Sequence, residues 1–212
     1  MGSIEKELIL RPMDFSGPGG KPASSSEEAP ALLRRAKAGD TEAFAEILVR
    51  HERLVLMTSL RLLGRMDAAQ DAAQEVFLRL HKYLGGFDEE RELAPWLYRV
   101  VVNVCRDQKR RDRRAPASLE ELLASGRATE TPDPADLEAA TLREEERRIV
   151  ALALETLPDK ERSAVVLRDV EGLSTQEVAR ILGSSEGTVR SQVSTGRVKI
   201  KKFVDHHLKG RR

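Results

Sequence analysis

Arg190, Ser191, Ser194 and Arg197 follow one another at intervals of one, three and three residues. On a helix that spacing gathers two guanidinium groups and two short hydroxyls on one face. Guanidinium groups bond guanine edges or bridge phosphate oxygens, and hydroxyls reach either, so such a face suits the major groove of duplex DNA. The surrounding stretch, LSTQEVARILGSSEGTVRSQVSTGRVKIKKFV from Leu173 to Val204, contains what must hold the face in place. Ser174 and Glu177 form a capping box, each side chain satisfying a backbone N–H at a helix start. Ala179, Ile181 and Leu182 give this helix an apolar side. Gly183 stands where the chain must stop and turn, a place that favours the left-handed conformation open to glycine. Ser185 caps a second helix, in which Val189 and Val193, one turn apart, face the first. A small residue at 179, a glycine four later and an apolar residue six after that is the spacing of a DNA-reading helix-turn-helix.

Lys199, Lys201, Lys202, Lys209, Arg211 and Arg212 continue the positive charge, opposed only by Asp205, and phosphate is their natural partner. Gly196 interrupts the second helix at a cost of about 1 kcal/mol relative to alanine, which suggests close approach of the backbone to DNA. An ordinary pair of packed helices with a solvated basic face is the competing reading of this stretch.

Two further sets lie earlier. Asp67, Asp71, Gln74 and Glu75 are spaced by four, three and one on a helix expected from about Asp67 to Leu84, with Ala69, Ala73, Val76, Phe77, Leu80 and Leu84 inward. Taken alone this acidic stripe reads as a solvated face, with acids favoured near a helix N-terminus. On the next helix, Arg99, Asn103, Arg106 and Arg110 recur at four, three and four. Pro95 suits the first turn of that helix, and Trp96, Leu97, Val100, Val101 and Val104 supply its packing face. From Arg99 to Arg114, seven cations oppose only Asp107 and Asp112, a concentrated positive patch.

The elements that carry these sets are all helices, and no strand is evident. Leu32, Leu33 and Ala36 mark a short helix ending near Gly39, and Asp40 caps a longer one that Gly64 ends. A polar loop from Gly85 to Leu93 follows the acidic helix. Helices are also expected from Glu144 to Leu154 and from Asp159 to Val170. Residues 1–29, rich in Gly, Pro and Ser, bury too little apolar surface to order and are read as a flexible leader. Residues 115–142, acidic and broken by Pro116, Pro132 and Pro134, are a linker. The fold class is therefore all-α, with two small helical domains at 30–114 and 143–206 and a basic tail at 207–212.

Composition narrows the function. The chain has 212 residues, 40% of them hydrophobic and 33% charged, with a net charge of +1, as in a soluble helical protein. It has no apolar block of membrane-spanning length and no apolar signal core, which points to the cytoplasm. Cys105 is the only cysteine, so no internal disulfide forms and a buried helix cysteine is the simplest reading. No phosphate loop, no nucleophile with a partnered base and no metal cluster is present. The sequence therefore predicts no enzyme, no cofactor and no metal.

The motifs DAAQDAAQEVFLRL (67–80), PWLYRVVVNVCRDQKRR (95–111) and LPDKERSAVVLRDVEGLSTQEVARILGSSEGTVRSQ (157–192) resemble domains two and four of the extracytoplasmic-function (ECF, group IV) sigma factors of the sigma-70 family. The resemblance implies a dissociable, non-catalytic subunit of bacterial RNA polymerase that selects promoters. By it, Asp67, Asp71, Gln74, Glu75 and Phe77 dock on the coiled coil of the largest polymerase subunit, and the polymerase flap is a further contact. Phe87, Arg99, Asn103, Arg106 and Arg110 would bind the minus-ten element as a single strand, with the loop from Phe87 to Leu93 holding an unstacked base. Ser185, Thr188, Arg190, Ser191, Ser194 and Arg197 would bind the minus-thirty-five duplex, with Gln192 another candidate there. Leu93 and Pro95 depart from the family's usual residues beside the base pocket. Trp96 shares the register of Val100 and Val104 and is read as core. Many members are held inactive by an anti-sigma factor that covers both DNA-reading domains. A stand-alone helix-turn-helix regulator is the alternative, and it leaves the acidic stripe and the first basic helix without a role.

Overall fold

The computed structural model describes residues 28–113 and 148–209, and every regular element among them is a helix. The linker at 115–142 and nearly all of the leader lie outside the described residues. The first helix, α1 (Glu28–Lys37), starts at the last two residues of the expected leader. Asp40 then accepts from the backbone N–H groups of Glu42 and Ala43, both at 3.0 Å, and so starts α2 (Thr41–Leu63). Gly64 ends α2 in the left-handed conformation. The acidic helix is α3 (Met66–Tyr83), followed by a single tight turn at Leu84–Gly86. The basic helix is α4 (Leu93–Asp112).

In the second half, α5 covers 148–155 of the described residues. Next comes α6 (Asp159–Val165), which widens into a π turn over Val166–Val170. The helix-turn-helix consists of α7 (Thr175–Leu182) and α8 (Glu186–Lys209). Its sequence signals act as expected: the Ser174–Glu177 capping box is complete, and Gly183 has φ of 63° with its N–H bonded to the Ala179 carbonyl. Ser185 Oγ accepts from the Thr188 N–H at 3.1 Å.

The two halves are packed together, which periodicity could not show. One apolar core runs from Leu32 in α1 through Val55 and Val101 to Val178 and Val189, and α4 lies against α7. Three polar links sit across the seam. Glu171, just after the π turn, accepts from Thr58 Oγ1 (3.0 Å), Arg61 (2.8 Å) and the Tyr98 hydroxyl (3.0 Å). Asp159 pairs with Lys109 and Arg113, both at 2.8 Å. Arg162 is buried and donates to the Leu62 carbonyl at 2.9 Å and to the Glu155 carbonyl. Those carbonyls belong to the C-terminal turns of α2 and α5, where acceptors lack helical partners and the dipole favours a cation.

Gly196 has a role other than the expected one. It is buried in the seam between α8 and α6, and a Cβ there would lie 2.6 Å from Val165 Cγ2 and 3.6 Å from Leu157 Cδ1. The glycine admits α6, not DNA, to the α8 backbone.

Candidate nucleic-acid interface

All six residues expected to face duplex DNA, Ser185, Thr188, Arg190, Ser191, Ser194 and Arg197, are exposed on α8 or at its cap. Val189 and Val193, on the opposite side, are buried against α7. The six are not equally available. Ser185 and Thr188 bond one another at 2.9 Å as part of the cap. Arg190 reaches Glu186 one turn back at 3.5 Å. Arg197 makes a two-pronged bond with Asp169 of the π turn, at 2.8 and 2.6 Å. That hydrogen-bonded carboxylate raises the guanidinium above its ordinary pKa, so Arg197 stays charged while it braces α8 on α6. Gln192 is half-buried. Ser191 and Ser194 complete the exposed face.

The basic helix behaves differently along its length. Residues 97–102 of α4 are all buried, enclosed by α2, α3 and α7. Arg99 falls in this segment and is only 8% exposed. A single surface row from Arg99 to Arg110 therefore does not form, because the middle of the helix is covered on every side. Further on, Asn103 is half-buried and Arg106 and Arg110 are exposed. Arg110 lies 3.5 Å from Asp107, whereas Arg106 pairs with no carboxylate among the described residues. Lys109 and Arg113 are taken up by Asp159. Burial would raise the Asp159 pKa, but the hydrogen bond and charge of Lys109, with Arg113 and Arg162, outweigh it and hold the carboxyl below the usual aspartate range.

Beside α4, the loop before it is held by its own contacts. Phe87 meets Trp96 edge-to-face at a centroid distance of 6.0 Å, and both rings pack against the core. Leu93 and Pro95, the departures noted above, are buried.

On α3, Asp67, Asp71 and Gln74 are exposed, with Glu75 and Phe77 half-buried. Arg65 hydrogen-bonds Asp67 and lowers its pKa. Glu75 accepts from Arg79 at 2.7 Å. Asp71 has no ion pair among the described residues. Sequence reading passed over Leu78, which is 66% exposed. It follows Gln74 by four residues and Glu75 by three, so it joins the acidic stripe. Its signal was an apolar residue outside the Ala69, Ala73, Val76, Leu80 register.

Cys105 is buried, and loss of hydration pushes its thiol up to about 12, which leaves it inert at neutral pH. Among the described residues, no group of His, Cys, Asp and Glu could hold a metal ion. No helix there is long and apolar enough to cross a membrane.

Residues 47–115 match the family model of sigma-70 region 2, and residues 141–200 match that of sigma-70 region 4. The RNA polymerase sigma-H factor of Pseudomonas aeruginosa is 31% identical over 191 residues, covering 87% of this chain and 98% of that protein. The ECF RNA polymerase sigma factor SigM of Mycobacterium tuberculosis (strain ATCC 25618 / H37Rv) is 35% identical over 192 residues, 90% of each chain. The chain belongs to the sigma-70 family as an ECF sigma factor. The sigma factor shares its fold with a solved structure, RpoE in complex with the anti-sigma factor NepR from Bartonella quintana. There the TM-score is 0.62 at 21% identity, over 76% of this chain and 96% of that one. The site thus belongs to an RNA polymerase sigma factor, whose work is transcription initiation.

Proposed function

We propose that this sigma factor divides promoter recognition and polymerase docking among three surfaces. The α3 stripe, with Asp71 and Gln74 at its centre, Asp67 and Glu75 beside them and Phe77 and Leu78 as apolar contacts, docks on the coiled coil of the largest polymerase subunit. Charge sets encounter and register there, and the apolar residues supply affinity. Asn103, Arg106 and Arg110 hold the minus-ten strand, with the loop from Phe87 taking an unstacked base between positive charge and ring surfaces. Arg99 is a buried support for that helix. The α8 face reads the minus-thirty-five duplex, with Arg190, Ser191 and Ser194 nearest the bases. Ser185 and Thr188 lie at the phosphates, where helix N-termini sit well, and Arg197 contributes as a braced charge.

The domains are 30–114 and 143–206. The protein acts in the cytoplasm with polymerase and is not an enzyme. The packed arrangement, with Lys109 and Arg113 held by Asp159, is the form an anti-sigma factor would hold. The observation that carries the reading most is the exposure of the six residues on α8 and at its cap, opposite a buried Val189–Val193 side, in a chain whose relatives are sigma factors.

The test is transcription from a promoter library by bacterial core polymerase with and without the purified chain. Transcripts that need both components and share two spaced elements are expected. Selection of a duplex site by the chain alone, with nothing added to core, would replace this reading with that of a stand-alone regulator.

A further inference from the structure

The loop between α3 and α4 is held from outside the surfaces described so far. Lys37, the last residue of α1, donates from Nζ to the Phe87 carbonyl at 2.9 Å and to Glu89 Oε2 at 3.0 Å. Both side chains of that ion pair are well covered, 25% and 30% exposed, so water screens the contact less than at an open surface. One turn earlier Arg34 approaches Glu90 at 3.8 Å. The loop adds its own order: Asp88 accepts from the Glu90 N–H at 3.2 Å and from Arg91 Nε at 3.0 Å. On the other side the Phe87 ring meets Trp96. The segment is therefore pinned between α1 and α4: the Phe87 N–H donates to the Leu84 carbonyl at 3.0 Å, and the Phe87 carbonyl is held by the Lys37 ammonium. The sigma-70 region 2 match begins only at residue 47, after α1.

We propose that Lys37 is a positioning residue for minus-ten recognition: by fixing the Phe87 carbonyl and Glu89, it preorganises the loop that receives the unstacked base. The inference rests on the reading of that loop given above. A loop already held in its binding conformation loses less conformational freedom when the base enters. Without the ammonium donor, the Phe87 carbonyl and Glu89 lose their cation from α1, and this part of the loop must be ordered during strand opening. Lys37 itself touches no DNA in this scheme.

The experiment compares Lys37→Met, which keeps the apolar stem, with Lys37→Arg, which keeps the charge and the donors. Each is assembled with core polymerase on a promoter selected from a random library by the parent holoenzyme. Strand opening is followed by permanganate reactivity of minus-ten thymines, with core affinity, duplex binding and thermal melting measured beside it. Lys37→Met is expected to lower opening by about tenfold, the scale of one hydrogen-bonded charge. Core affinity and duplex binding should stay at the parent's values, melting should fall by only a few degrees, and Lys37→Arg should restore opening. Opening equal to the parent's, or an equal fall in core affinity, would overturn the proposal. Phe87→Ala and Asn103→Ala separate the two levels. If both impair opening while Lys37→Met does not, only the Lys37 inference fails. If neither does, the reading of the loop fails and takes the inference with it. Should Lys37→Met not fold, Glu89→Ala is expected to give a smaller loss in the same direction, and no loss would again overturn the proposal.

Discussion

Gly196→Ala and Gly187→Ala make the same chemical change on the same helix, and the packing of α8 predicts opposite outcomes. In an open helix, replacing glycine by alanine gains about 1 kcal/mol. At Gly187, in the first turn of α8, an added Cβ meets only Ser185 Oγ, at 3.8 Å, so part of that gain should survive. At Gly196 the new carbon would lie 2.6 Å from Val165 Cγ2, about 1 Å inside the ~3.5–4.0 Å optimum for carbon pairs. Val165 is itself buried, 3% exposed, and cannot swing into solvent. Overpacking a closed core typically costs about 1–3 kcal/mol. Set against the helix gain, Gly196→Ala should end with a net loss of up to about 2 kcal/mol. Urea unfolding of the full chain, with Gly187→Ala as the control, measures both. The double variant Gly196→Ala/Val165→Ala gives the cause, because the alanine penalty should largely vanish once the valine methyls are gone. Equal stabilisation by the two alanine substitutions would refute the reasoning, and so would a Gly196→Ala penalty that persists without the valine.

Other outcomes follow from the seam and the exposed faces. Glu171→Ala leaves Thr58, Arg61 and Tyr98 without their shared acceptor. It should weaken the contact between the halves by about 1–3 kcal/mol and raise the radius of gyration in solution scattering; an unchanged radius would count against the seam. The pKa of Asp159 is lowered in the folded state, so its stabilising contribution is complete above the ordinary aspartate value of about 3.9 and is lost as pH falls through the lowered one. The packed form should therefore hold from neutral pH to about 5 and loosen only below about 4, and Asp159→Asn should remove that contribution. Arg190→Ala should weaken binding of the upstream duplex by about 1–3 kcal/mol and leave core affinity unchanged, as read by anisotropy with labelled DNA. Asp71→Lys with Glu75→Lys reverses the acidic stripe and should abolish core binding while thermal melting changes little; retained binding would remove the docking surface.

Local signals determined much of this protein without a structure. The Ser174–Glu177 box, Gly183, Ser185, Asp40 and Gly64 each satisfy or turn a helix end through neighbours a few residues away, so their effect is written in the chain itself. The 3.6-residue period placed Val189 and Val193 inward and the six α8 residues outward for the same reason. Leu78 was legible too, as an apolar residue out of register. Tertiary structure decided what depends on partners far along the chain. Arg99 sits in a good surface row by spacing, yet three other helices enclose its segment. Gly196 serves a valine thirty-one positions earlier. Lys37 bonds a carbonyl fifty residues away, and Glu171 gathers donors from α2 and α4. Helix periodicity records which side of a helix is apolar, whereas which neighbour covers that side, and which charge faces which, is set only when the helices pack.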